Sequence, residues 1–189
     1  MYQQTVPLIL ASKSPRRQEL MQLMELDFKV VLKEVDESYP DHLSPSDIAC
    51  YIAEKKAKAF VEERLNSLVI TADTIVAYNG EILGKPGDAA HAREMLTKLS
   101  GTTHQVYTGV SLAYRDKLET FYDVTEVCFR KLSSEEIEHY INKYNPFDKA
   151  GSYGIQDWLG YIAVEKITGS YTNVMGLPTE KLYHALSNF

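Results

Sequence analysis

The chain has 189 residues, 44% of them hydrophobic, which suits one globular domain or two lobes sharing a core. Its 26 acidic and 20 basic residues leave a net charge of −6, without the basic excess that a nucleic-acid binder carries. No window approaches the ~20 apolar residues of a membrane span, and the short apolar run near the start is wrongly flanked for a signal peptide.

Val6–Ala11 reads as a strand and Pro15–Glu25 as a helix whose Leu20, Leu23 and Met24 form a buried stripe. Phe28–Leu32 is a second strand, and polar Glu34–Ser44 with Pro40 is a loop. Ser44-Pro45-Ser46-Asp47 opens a helix that runs to about Arg64. Leu68–Thr71 and Thr74–Tyr78 read as strands with Asp73 between them. Asn79-Gly80 is a hairpin turn, with Glu81–Gly84 returning along it. Asp88 caps a helix carrying Ala92, Met95, Leu96 and Leu99, which Gly101 stops. Gln105–Tyr114 and Leu118–Arg130 form a long antiparallel pair around Arg115-Asp116-Lys117. Ser133 to Glu136 is a capping box for a helix to about Tyr144, Tyr161–Lys166 is a strand, and Pro178–Leu186 is a terminal helix. Helices alternate with strands, but the middle is antiparallel. The class is therefore mixed α/β, a partly antiparallel sheet flanked by helices, in a single domain over 1–189.

Six places are candidates for chemistry. In Ser12-Lys13-Ser14-Pro15-Arg16-Arg17, Ser14 suits the N-cap and Pro15 the first helical position. Arg16 and Arg17 then crowd the positive end of the helix dipole, where a merely stable helix would place acids. Two hydroxyls, first-turn N–H groups and two guanidinium groups converge as an anion site, and phosphate is the obvious anion. A capped helix with two solvated arginines is the plainer alternative. Asp73 ends an apolar strand in Ala72-Asp73-Thr74, where it suits cation binding or proton abstraction from water, or simply a turn. Glu34, Asp36 and Glu37 form an acidic loop that either joins Asp73 around Mg²⁺ or stays in solvent.

Lys85, in Gly84-Lys85-Pro86, is a candidate phosphate contact or a surface lysine. Lys55, Lys56 and Lys58 read as a solvated helix face, with Lys56 able to share a side with Ala59. In Asp148–Gln156, two glycines flank Tyr153, so the segment can wrap a ligand while Gln156 offers a donor and an acceptor to a base edge; an ordinary turn is the alternative. His104 lacks a spaced partner for zinc. Cys50 and Cys128 form no CxxC and read as reduced core thiols. Tyr51 and Tyr140 read as core or interface residues. A P-loop, a G-x-S-x-G elbow, HExxH and an EF-hand loop are all missing.

Taken in order, Leu8–Arg17, Lys56-Ala57, Ala72-Asp73-Thr74, Leu83-Gly84-Lys85-Pro86, Leu99-Ser100-Gly101 with His104, Asp148–Gln156 and Gly169-Ser170-Tyr171 through Gly176-Leu177-Pro178 resemble the Maf family. These are the septum-formation-inhibitor-like nucleoside triphosphate pyrophosphatases. The resemblance implies a Maf/ITPase-like fold of two lobes around a substrate cleft, and cleavage between the α and β phosphates to give monophosphate and pyrophosphate. It makes Asp73 the proton acceptor, Glu37 the loop carboxylate, and Arg17, Lys56 and Lys85 the phosphate-binding cations, with Ser12 and Ser14 in the serine-rich loop. It makes Arg16, Thr74 and Gln156 specificity markers of the dTTP/UTP branch. The branch acting on 7-methylguanosine triphosphate carries an aromatic residue and an acid in place of Arg16 and Gln156. Asp157-Trp158 depart from the smaller residues usual after Gln156, and Ser152 stands where alanine is common.

The resemblance further implies a divalent cation, Mg²⁺ or else Mn²⁺, with ligands not assigned. It implies a homodimer and a role in removing non-standard nucleotides or in cell-division control, while the unpaired cysteines, the acidic balance and the short apolar runs point to a cytoplasmic protein bound to neither nucleic acid nor membrane. Two alternatives stand beside it: a regulator of septum formation that binds nucleotide or protein without turnover, and a pyrophosphatase for modified nucleotides.

Overall fold

A computed structural model describes residues 3–189. Seven strands form one mixed sheet: β1 (Leu8–Leu10), β2 (Phe28–Val30), β3 (Leu68–Tyr78), β4 (Glu81–Leu83), β5 (Thr103–Tyr114), β6 (Lys117–Phe129) and β7 (Val164–Thr168). Their order is β2-β1-β3-β5-β6-β7, with β4 paired to β3. β1 runs parallel to β2 and β3, whereas β3–β4 and β6–β7 are antiparallel, so the sheet is mixed as expected. The helices are α1 (Pro15–Leu23), α2 (Pro45–Lys58), α3 (Ala89–Leu99), α4 (Ser134–Tyr144), α5 (Trp158–Ala163), α6 (Tyr171–Met175) and α7 (Thr179–Asn188). Among the described residues, no helix is long and apolar enough to cross a membrane.

The caps read from sequence are present. Ser14, Ser44, Asp88 and Ser133 each accept a hydrogen bond from a first-turn backbone N–H, and Ser133 with Glu136 completes the capping box. Three boundaries differ. β3 is one continuous strand, so Asp73 lies within it rather than at a strand end; Ala72-Asp73-Thr74 contains no residue that breaks an extended chain. α2 stops at Lys58 instead of about Arg64, because Phe60 turns into a core with Ile9, Ala57, Val69 and Ala113. Tyr161–Lys166 is not one strand: its first half ends α5. Leu159 and Ala163, four apart, are buried, and a Cβ on Gly160 would stand 1.8 Å from the Ile155 carbonyl oxygen.

The chain divides into two compact units. The first comprises Met1–Thr74, Thr108–Asp123 and Gly176–Phe189. In it α2 lies hard against β5: a Cβ on Gly109 would approach Ala49 carbonyl atoms to 2.4 Å. The β5–β6 turn is also tied in, by a hydrogen bond from Arg115 N to Arg64 O of 2.6 Å. The second unit comprises Ile75–Tyr107 and Val124–Met175. Its core gathers Val76, Leu83, Leu96, Leu99, Phe129 and Tyr140. Cys50 and Cys128 are free, as expected, but half-buried rather than in the core.

Candidate active site

In the first unit, the lysine on α2 and the acid on β3 meet. Lys56 Nζ lies 2.7 Å from Asp73 Oδ1 and 2.7 Å from Glu37 Oε1. The side chains of Lys56 and Asp73 keep only 16% and 14% of their exposure, so water screens this pair weakly. Neighbouring positions on a helix point about 100° apart, and that splits the acidic loop in two. Lys55 Nζ donates to Asp36 Oδ2 at 2.9 Å. That bond, helped by Ser38, holds Asp36 well below the usual carboxylate range. Glu37 goes to Lys56 instead. Of the three loop acids, Glu37 is the one that shares a cation with Asp73.

The serine-rich loop is organised around Arg17. Ser12 is buried, and its Oγ accepts from Ser14 N at 3.2 Å and from Arg17 Nη1 at 3.2 Å. Arg17 Nη1 also donates to Ala72 O at 2.9 Å, Nη2 to Thr74 Oγ1 at 3.0 Å and Nε to Gly176 O at 2.7 Å. Thr74 Oγ1 in turn lies 3.0 Å from Thr108 Oγ1. Expected as a phosphate grip, Arg17 thus directs four hydrogen bonds at the protein, two of them to the residues flanking Asp73. Burial lowers its pKa, with Arg16 acting in the same sense, while Asp73 and Glu37 pull it back up. Arg16, beside it in the first turn of α1, is half-buried. The serine spacing signalled this loop; Gly176 stood in a family motif with no role attached to it, and nothing in the sequence pointed to Thr108.

The second unit holds the other two expected residues. Lys85 is exposed, directly after Gly84, whose carbonyl accepts from Gly151 N at 3.1 Å. That bond joins the β4–α3 loop to the segment before Gln156. The Gln156 Oε1 atom is buried and has no hydrogen-bond partner among the described residues. A buried amide oxygen without a partner is costly, about 1–3 kcal/mol, and is the kind of atom a ligand donor satisfies. His104 is buried with Nε2 2.7 Å from the Tyr153 hydroxyl, edge-on to Phe129 and Tyr153. Burial lowers its pKa to about 4, so it is a neutral core imidazole.

A family model described as "Maf-like protein" matches residues 7–189. The chain belongs to the Maf family. A Maf relative from Flavobacterium psychrophilum, named dTTP/UTP pyrophosphatase, is 52% identical over 182 residues, covering 96% of this chain and 93% of the relative. One from Bacillus cytotoxicus with the same name is 52% identical over 181 residues, covering 96% and 94%. Among solved structures, a HAM1 protein from Coxiella burnetii aligns over 98% of this chain and all of its own, with a TM-score of 0.53 and 13% identity. The Ham1 protein of Staphylococcus aureus aligns over 95% and 99%, at 0.51 and 16%. At those identities the likeness is one of fold, and it agrees with the ITPase-like architecture expected from the Maf motifs.

Proposed function

We propose that this Maf-family chain hydrolyses dTTP and UTP to the monophosphate and pyrophosphate. The observation that carries the reading is the Lys56 ammonium, held 2.7 Å from both Asp73 and Glu37. Relatives about half identical to this chain, named for dTTP/UTP pyrophosphatase activity, supply the substrate class.

In the proposed reaction a water oxygen attacks the α-phosphorus. The bond from that phosphorus to the α–β bridging oxygen breaks, pyrophosphate leaves, and the water proton passes to Asp73. Lys56 keeps Asp73 Oδ1 fixed and leaves Oδ2 to take that proton. Arg16, the Ser12–Ser14 loop and Lys85 are assigned to the polyphosphate, whose ~4 negative charges need local cations on an acidic protein. Arg17 is assigned to holding Ala72 and Thr74 in place rather than to the phosphates, and Thr74 and Gln156 to selecting the nucleotide.

No cluster of three or more acids, histidines or cysteines stands ready for a metal among the described residues. The two carboxylates on Lys56 still fit Mg²⁺, which takes one or two carboxylates and completes its shell with water and substrate phosphates. Glu37 and Asp73 would hold it, and it would supply charge neutralisation at the phosphates. The homodimer and the cytoplasmic setting are kept as part of the proposal; sedimentation of the purified protein tests the first.

The deciding experiment is pyrophosphate release across a nucleotide panel with Mg²⁺. Turnover of dTTP and UTP ahead of CTP and the purine triphosphates supports the reading, and binding without turnover favours the regulatory alternative.

A further inference from the structure

Two side chains that the proposed hydrolysis does not use meet at the segment bearing Gln156. Tyr140, on α4, is fully buried, and its ring stacks on Tyr144 with centroids 5.1 Å apart at 24°. Its hydroxyl accepts from Gly154 N at 3.0 Å and donates to Asp157 Oδ2 at 2.8 Å. One hydroxyl on a rigid helix therefore fastens both ends of the four-residue stretch whose third member is Gln156.

The fit leaves little slack. Asp157 N donates to Gly154 O at 3.0 Å, closing the turn. A Cβ on Gly154 would stand 2.6 Å from Asp157 Oδ2, so only glycine leaves room for that carboxylate. Asp157 occupies the N-cap position of α5, where an acid ordinarily bonds a first-turn N–H. Here it makes no such cap bond and gives its carboxylate to Tyr140 instead. Lys149 Nζ, on a side chain only 11% exposed, lies 3.8 Å from the same oxygen. The next residue, Trp158, packs edge-on against His139 of α4, centroids 4.9 Å apart. The carboxylate and indole that follow Gln156 are thus both engaged by α4.

We infer that Tyr140 and Asp157 are positioning residues that hold the Gln156 amide where it reads the base of a pyrimidine triphosphate, and so set nucleotide selectivity. The inference rests on the base-reading role proposed for Gln156. A polar group discriminates strongly only when its geometry is fixed, because the wrong base must then leave it unpaired. Loosening residues 154–157 lets the amide follow whichever base arrives. The loss then falls on the preferred nucleotide more than on the others. A purely structural defect removes active protein and lowers every rate by the same factor.

The test is the ratio of kcat/KM for dTTP to that for CTP, measured for wild type, Tyr140→Phe, Asp157→Ala and Gln156→Ala. We expect Gln156→Ala to collapse the ratio, and Tyr140→Phe and Asp157→Ala each to lower it about tenfold. A wild-type ratio in both clasp variants, beside a collapsed ratio in Gln156→Ala, overturns the positioning role and leaves base reading intact. An unchanged ratio in Gln156→Ala removes base reading and the positioning role with it. Should Tyr140→Phe fail to fold, Asp157→Ala decides, its side chain lying at the turn rather than within the core.

Discussion

Arg17 donates from Nη2 to Thr74 Oγ1 at 3.0 Å, and from Nη1 to the carbonyl of Ala72 at 2.9 Å, so one guanidinium group grips the strand on both sides of Asp73. A lysine ammonium has no planar fork with which to reach acceptors on Ser12, Ala72, Thr74 and Gly176 together. Arg17→Lys should therefore behave as a loss of geometry. We expect stability to fall by about 2–3 kcal/mol, from hydrogen bonds to a charged group, seen as a melting point lower by roughly 5–10 °C. The kcat for dTTP should drop at least about tenfold while KM changes less than about threefold. A raised KM with kcat unchanged would return Arg17 to the phosphates.

Asp73→Asn keeps the shape of the side chain and removes the proton acceptor. Turnover should fall by about 10²–10⁴-fold, while nucleotide binding by calorimetry stays within about threefold of wild type. Near-normal dTTP hydrolysis would place the base elsewhere.

Chelation separates catalysis from folding. With two carboxylates and no larger cluster among the described residues, the fold has no all-protein cage that depends on a bound ion. EDTA should abolish pyrophosphate release, Mg²⁺ should restore it, and the melting point without nucleotide should move by less than about 2 °C.

His104 makes stability depend on pH. Burial lowers its pKa from 6.5 to about 4. Between those values the unfolded chain binds the proton and the folded chain does not, so stability is fully present above about pH 6.5 and declines as the pH falls toward 4. The contribution at stake is about 3 kcal/mol, of which about 2 should be lost between pH 7.5 and 5. Urea unfolding at those two values checks it. His104→Gln, which cannot be protonated, should show a smaller difference between them.

Much of this was legible in the chain. Ser14, Ser44, Asp88 and Ser133 announced their helices because a cap is a local device. The motif order around Asp73, Lys85 and Gln156 identified the family. What stayed hidden depends on distant partners. Nothing near Lys58 says that Phe60 must turn into a core, and nothing in Gly160 says that Ile155 will crowd it. The family motifs gave Lys56 to phosphate and Asp73 to the water proton; their pairing, and the division of Glu37 and Asp36 between two adjacent lysines, came from the folded geometry. Tyr140 read as a core or interface residue, and it is fully buried. The hydroxyl that makes it more than that has partners 14 and 17 residues away.

The bond from Arg17 to the carbonyl of Gly176 spans 159 positions. A growing polypeptide emerges from the ribosome with Asp73 long before that acceptor has been made. The segment carrying the proposed base therefore stays unfinished until translation has passed Gly176, and a chain aborted earlier would be released with its water-activating strand unbraced.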